Sequence, residues 1–121
     1  MRLIIPLKAP SLNQIYAGTH WTKRKKLADE WHLVVKSIAY ENQNWKGILF
    51  DKAVISYEIH YKHKRRHDFD NAMYAAKLIN DGLVMAGVIP DDDIDHLQCD
   101  GFKVLKGQET DQVIIDIRSE L

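Results

Sequence analysis

Asp68 and Asp70 flank a single residue, and Asp91-Asp92-Asp93 follow after a helix-length interval. Carboxylates at that spacing suit a divalent cation, because oxygen-only ligands, few and partly solvated, select Mg²⁺ or Mn²⁺ over zinc. Directly before the first pair stands Lys62-His63-Lys64-Arg65-Arg66-His67, a run that would grip a polyanion. A divalent ion held beside a phosphodiester polarises it and lowers the pKa of a bound water, which is what DNA hydrolysis needs. Each half also has an ordinary structural use. Asp70 or Asp68 is a good helix N-cap, and successive Asp residues after a turn commonly form a solvated loop, as expected for Asp93. The combination carries the site reading; neither half does so alone.

Between the two acidic clusters the pattern predicts a helix from about Asp70 to about Ala86, stopped by Gly87 and then Pro90. Asp70, Tyr74, Lys77 and Asp81 share one face of it, and Ala72, Ala76, Ile79 and Leu83 form the apolar face opposite. Such a helix is roughly 24 Å long, so Asp91 and Asp92 meet Asp68 and Asp70 only if the chain after Gly87 folds back, or if a partner subunit supplies them. Bringing two carboxylates to about 4 Å costs on the order of 4 kcal/mol at an effective dielectric of about 20 unless a cation intervenes. Lys77, about 10 Å along the axis from Asp70, is expected to steady a phosphate. Its competing role is an i,i+4 ion pair with Asp81.

Overall charge argues neither for nor against nucleic acid, since 17 Lys and Arg balance 17 Asp and Glu. The distribution is informative. Residues 62–67 carry four formal positives and no acid, whereas residues 91–100 carry five acids and no Lys or Arg. Lys64, Arg65 and Arg66 are the expected DNA-contacting arm. Lys23, Arg24, Lys25 and Lys26 open the first helix, where cations oppose the helix dipole. A phosphate partner would relieve that penalty for Lys23, Arg24 and Lys26, although successive helical positions cannot all face one ligand. His60, His63 and His67 invite a zinc reading, but their segment reads as strand then loop and no Cys assists.

The remaining elements follow from periodicity. At 121 residues, 45% hydrophobic and 28% charged, the chain is expected to form one domain over residues 1–121. Residues 2–7 predict a short strand ending near Pro6, and residues 8–20 a loop. A helix over about 21–40 is marked by Leu27, Trp31, Val34, Val35 and Ile38 at offsets of three and four. Strict alternation of Ala53, Ile55, Tyr57, Ile59 and Tyr61 predicts a half-buried strand. Residues 95–106 and 111–118 are expected to pair as a hairpin across Gly107-Gln108-Glu109-Thr110, with Val113, Ile115 and Ile117 facing inward. The order is β-α-β-α-β-β, an α+β domain with two helices packed on a mostly antiparallel mixed sheet. The single Cys99 leaves no intrachain disulfide and fits a reducing cytoplasm. No stretch approaches a signal h-region or a membrane span.

Three segments together resemble the RusA family of Holliday-junction endodeoxyribonucleases, small dimeric resolvases common in bacteria and their prophages. They are Arg66-His67-Asp68-Phe69-Asp70-Asn71, Lys77 with Asp81-Gly82-Leu83, and Gly87-Val88-Ile89-Pro90-Asp91-Asp92, and Pro10-Ser11-Leu12-Asn13-Gln14-Ile15-Tyr16 is similar to the family's opening segment. The resemblance implies metal-binding and catalytic roles for Asp68, Asp70 and Asp92, with Asp91 in support. It further implies Mg²⁺ dependence, four-way junction DNA as substrate, a homodimer, and a bacterial cytoplasmic or prophage-encoded setting. A dimer suits the chemistry, because two symmetric nicks call for two-fold-related sites. Two departures stand out: the family's lysine one turn after the second aspartate is Tyr74 here, and the helix is about three residues longer. Lys77 is the expected substitute. The residues alone leave open a DNA- or junction-binding module whose catalysis has decayed, and a small metal-dependent nucleotide hydrolase. The basic arm counts against the hydrolase, because a mononucleotide needs few cations.

Overall fold

The computed structural model describes residues 1–10, 21–42, 50–65 and 69–120, with the side chains of Asp70 and Asn71 outside that description. In chain order the elements are β1 (Arg2–Ile5), α1 (Trp21–Glu41), β2 (Ala53–His60), α2 (Phe69–Ala72), α3 (Tyr74–Met85), β3 (Leu97–Leu105) and β4 (Gln112–Ser119). They build one mixed sheet in the order β1-β4-β2-β3, with the helices buried against one face. Of the loop expected over 8–20, residues 11–20 lie outside the described residues.

The sheet forms where alternation is strongest. In β2 the residues Ala53, Ile55, Tyr57 and Ile59 are buried while their neighbours are half-exposed. β4 repeats the pattern with Val113, Ile115 and Ile117. The antiparallel register sets Ile55 opposite Ile117, Tyr57 opposite Ile115 and Ile59 opposite Val113, and β1 adds Leu3 opposite Ile115 and Ile5 opposite Val113. Inward residues therefore meet inward residues across three strands, which fixes the pairing. From α1, Trp31, Val35 and Ala39 complete the core, with Leu27, Val34 and Ile38 packed at its margin.

The expected hairpin does not form. β3 runs parallel to β2 on the outer edge, and β4 inserts on the other side of β2, antiparallel to it. The chain from β2 through α2 and α3 to β3 is a β-α-β crossover, and such a connection returns its strand parallel to the first. β4, with a fully buried inward row, takes the interior place between β1 and β2. β3, with Leu97 its one buried residue, is left at the edge. Residues 106–111 therefore pass across the end of β2 instead of turning back on β3.

The second helical segment also departs from expectation in detail. Phe69 is its first residue, so Asp70 lies within the first turn and is not the cap; the alternative cap, Asp68, lies outside the described residues. A tighter turn at Met73, with the Ala76 N–H donating to the Met73 carbonyl at 3.0 Å, separates α2 from α3. α3 buries Ala75, Leu78, Ile79, Gly82 and Leu83. Gly82 faces α1 so closely that a Cβ there would lie 2.8 Å from the Val35 Cβ, and its missing side chain sets the approach of the two helices.

Candidate functional site

The return of the acidic loop begins at the end of α3. Gly87 adopts φ of 76°, its N–H donates to the Val84 carbonyl at 3.0 Å, and the Val88 N–H donates to the Leu83 carbonyl at 3.0 Å. This is the Schellman arrangement, for which a left-handed glycine is suited. It reverses the chain, and the buried Val88 and Ile89 fasten the reversed segment to the core. The Val88 carbonyl then accepts from the Phe50 N–H at 2.8 Å. Asp93 organises the next turn, its Oδ1 accepting the N–H groups of Asp95 and His96 at 3.1 Å each. Asp93 is exposed, as expected of a solvated residue, and it also holds the loop's shape.

Asp92 is thereby carried back along α3 to Lys77. The Lys77 Nζ donates to Asp81 Oδ1 at 2.9 Å and to Asp92 Oδ2 at 3.3 Å. The intrahelical pair and the long-range one thus occur together. The Asp81 hydrogen bond chiefly, with Asp92 adding to it, raises the Lys77 pKa above its ordinary value against the opposing effect of burial. Asp91 is exposed, and its Oδ1 accepts the Asp92 N–H at 2.7 Å. Tyr74 is half-buried and packs against the core.

Beneath this face, the buried Tyr57 hydroxyl of β2 hydrogen-bonds Asn80 Oδ1 of α3, tying strand to helix. Burial pushes the Tyr57 hydroxyl well above its ordinary pKa, against the Asn80 hydrogen bond, with smaller contributions from Cys99 and Asp92 in the same direction as burial. From α1, His32 Nε2 comes to 3.8 Å from Asp81 Oδ2.

Of the two expected halves of the acidic site, Asp91 and Asp92 are thus located. Asp70 is placed by its backbone in the first turn of α2, and Asp68 lies outside the described residues, together with Arg66 and His67. Among the described residues, no group of three or more His, Cys, Asp or Glu side chains is arranged to hold a metal ion. The donors that Asp91 and Asp92 offer are carboxylate oxygens, matching in kind a hard divalent ion.

The basic arm is anchored by the loop that crosses the end of β2. The Gly107 N–H donates to the His63 carbonyl at 3.0 Å and the Gln108 N–H to the Tyr61 carbonyl at 2.9 Å. Asp111 Oδ1 accepts the Lys62 N–H at 2.8 Å. Gly107, at φ of 67°, lies under the Lys64 side chain, where a Cβ would come 3.1 Å from the Lys64 Cε. Lys64 and Arg65 remain exposed. His63 stacks on Tyr61 with ring centroids 4.9 Å apart. Its pKa is lowered by burial first, then by Arg65 and Lys8, with Asp111 opposing them and Lys106 adding the smallest lowering. Lys8 and Lys106 are thus members of the basic patch that sequence reasoning missed, because each is isolated among uncharged neighbours.

Of the histidines weighed for zinc, His67 lies outside the described residues. His60 Nε2 lies 2.6 Å from Glu58 Oε1 on the sheet face opposite the helices. On α1, Lys23, Lys25 and Lys26 are exposed and Arg24 is half-buried; Lys25 pairs with Asp29 at 2.7 Å. No helix among the described residues is long and apolar enough to cross a membrane. Comparison of the chain with protein-family models and with curated proteins finds no match.

Proposed function

We propose that this chain is a structure-selective endodeoxyribonuclease that resolves four-way DNA junctions as a homodimer, with Mg²⁺ as its metal. The observation that carries the reading is the return of Asp92 to Lys77. It links the second acidic cluster to the helical arm whose first turn contains Asp70. Asp68, Asp70 and Asp92, supported by Asp91, would hold the ion, Mn²⁺ being a chemically suitable alternative. When bound, the ion supplies charge stabilisation at the phosphodiester and a more acidic water. Lys77, its side chain exposed, orients a phosphate through the donor it does not use on carboxylates. Arg66, Lys64 and Arg65, the last two with Lys8 and Lys106 near them, and Lys23, Arg24 and Lys26 on α1, grip the DNA backbone by charge. Four-way junctions and the two-fold dimer enter through the resemblance of the Asp68–Asp92 region to the RusA resolvases, and a cytoplasmic setting through the same resemblance.

The Lys77–Asp92 ion pair also favours a second reading, a junction-binding module without catalysis, because an ammonium already neutralises part of the carboxylate charge. Incubation with synthetic four-way junctions, linear duplex and single strands, in Mg²⁺ or in EDTA, separates the two. Junction-selective nicking that EDTA abolishes supports the nuclease. Tight junction binding without nicking, unchanged in Asp70→Asn, supports the module.

A further inference from the structure

Asp81 stands between two cationic or potentially cationic groups on different helices. Its Oδ1 accepts from Lys77 Nζ on α3 at 2.9 Å, and its Oδ2 faces His32 Nε2 on α1 at 3.8 Å. Its position is set by helix packing. The adjoining Gly82 lets Val35 approach α3 to 2.8 Å of where a Cβ would be, and His32 lies one turn before Val35 on the same helix. Asp92, by contrast, reaches Lys77 from a loop and at the longer distance of 3.3 Å. Two carboxylates therefore share one ammonium, and the helix-borne one holds it more closely.

We propose that Asp81 is a positioning residue that draws Lys77 toward α3 and so keeps the Asp92 carboxylate available to a divalent cation. The inference rests on the reading of Asp92 as a metal-holding residue. Without Asp81, Lys77 would pair with Asp92 alone, and the cation would have to displace a fully committed ammonium. Asp81 then acts on the metal through Lys77, not by touching it.

The test is Mn²⁺ affinity, read by electron paramagnetic resonance on the full chain without DNA. The panel is the wild type, Asp81→Asn, Lys77→Met and the double variant, each checked for native circular dichroism. Asp81→Asn is expected to weaken Mn²⁺ binding about three- to fivefold, the scale of an exposed ion pair. Lys77→Met is expected to tighten it, and Asp81→Asn in the Lys77→Met background to change nothing further. Equal weakening in both backgrounds would overturn the proposal, since Asp81 would then act on the ion directly by charge. No Mn²⁺ binding by either the wild type or Lys77→Met would defeat the metal reading of Asp92 itself, and the proposal with it.

Discussion

The Lys77 ammonium lies 3.3 Å from the Asp92 carboxylate across fifteen residues of chain, and this contact shows that the loop after α3 doubles back along its helix. Helix, reversal and loop thus act as one unit. Gly87 turns the chain, Val88 and Ile89 anchor it, and Asp92 is delivered to a helical face.

Because Lys77 is 61% exposed at its side chain, the Lys77–Asp92 pair contributes little to stability. Asp92→Asn and Lys77→Met should each change unfolding free energy by less than about 1 kcal/mol in urea titration. A larger loss would mean that the loop depends on the ion pair and not on its apolar anchors.

Gly82→Ala should destabilise the fold by about 1–3 kcal/mol despite alanine's better helix propensity. The new methyl would fall 2.8 Å from the Val35 Cβ, with backbone of two helices behind both atoms. Thermal melts of Gly82→Ala, Val35→Gly and the double variant check this, Val35→Gly being the change that removes the clashing Cβ. The double variant should be less destabilised than the sum of the singles; strict additivity would refute the steric account.

Alkaline pH should weaken the fold through its buried tyrosines. Burial raises the Tyr61 hydroxyl to about 12 and the Tyr57 hydroxyl above its ordinary value as well. Both stay neutral when folded while the unfolded chain begins to ionise at about pH 10. The Tyr61 contribution is therefore complete below about pH 10 and is lost as pH rises from there through about 12, and the Tyr57 contribution is lost over a range that extends higher. The urea midpoint of Tyr57→Phe/Tyr61→Phe, lower at neutral pH, should fall less steeply than the wild type's above pH 10. Parallel curves would contradict this.

Neutralising Lys64, Arg65 and Arg66 should flatten the salt dependence of junction affinity, by about 0.9 in log-log slope for each DNA phosphate they cease to neutralise. Fluorescence anisotropy across a salt series gives the slope directly. An unchanged slope would remove the arm from the binding surface.

Local periodicity made much of this fold legible. The alternation of Ala53 through Tyr61 and the stripe of Trp31 and Val35 each predict burial that the structure bears out. Pairing was not legible, since nothing local to residues 95–118 says that β2 will stand between the last two strands. The site divides in the same way. Asp91 and Asp92 were visible as residue types, and Gly87 as a helix stop, but the direction of the chain beyond it depends on Val88 and Ile89 finding the core. His32 was invisible as a neighbour of Asp81, because that contact exists only once Gly82 lets two helices close together.

The most direct test of the nuclease reading is strand-by-strand mapping of nicks on a synthetic four-way junction in Mg²⁺, comparing the wild type with Asp92→Asn. Paired symmetric nicks by the wild type are expected, with a loss on the order of a hundredfold or more in Asp92→Asn and junction binding retained. An intact junction with the wild type, or equal nicking by Asp92→Asn, would contradict it.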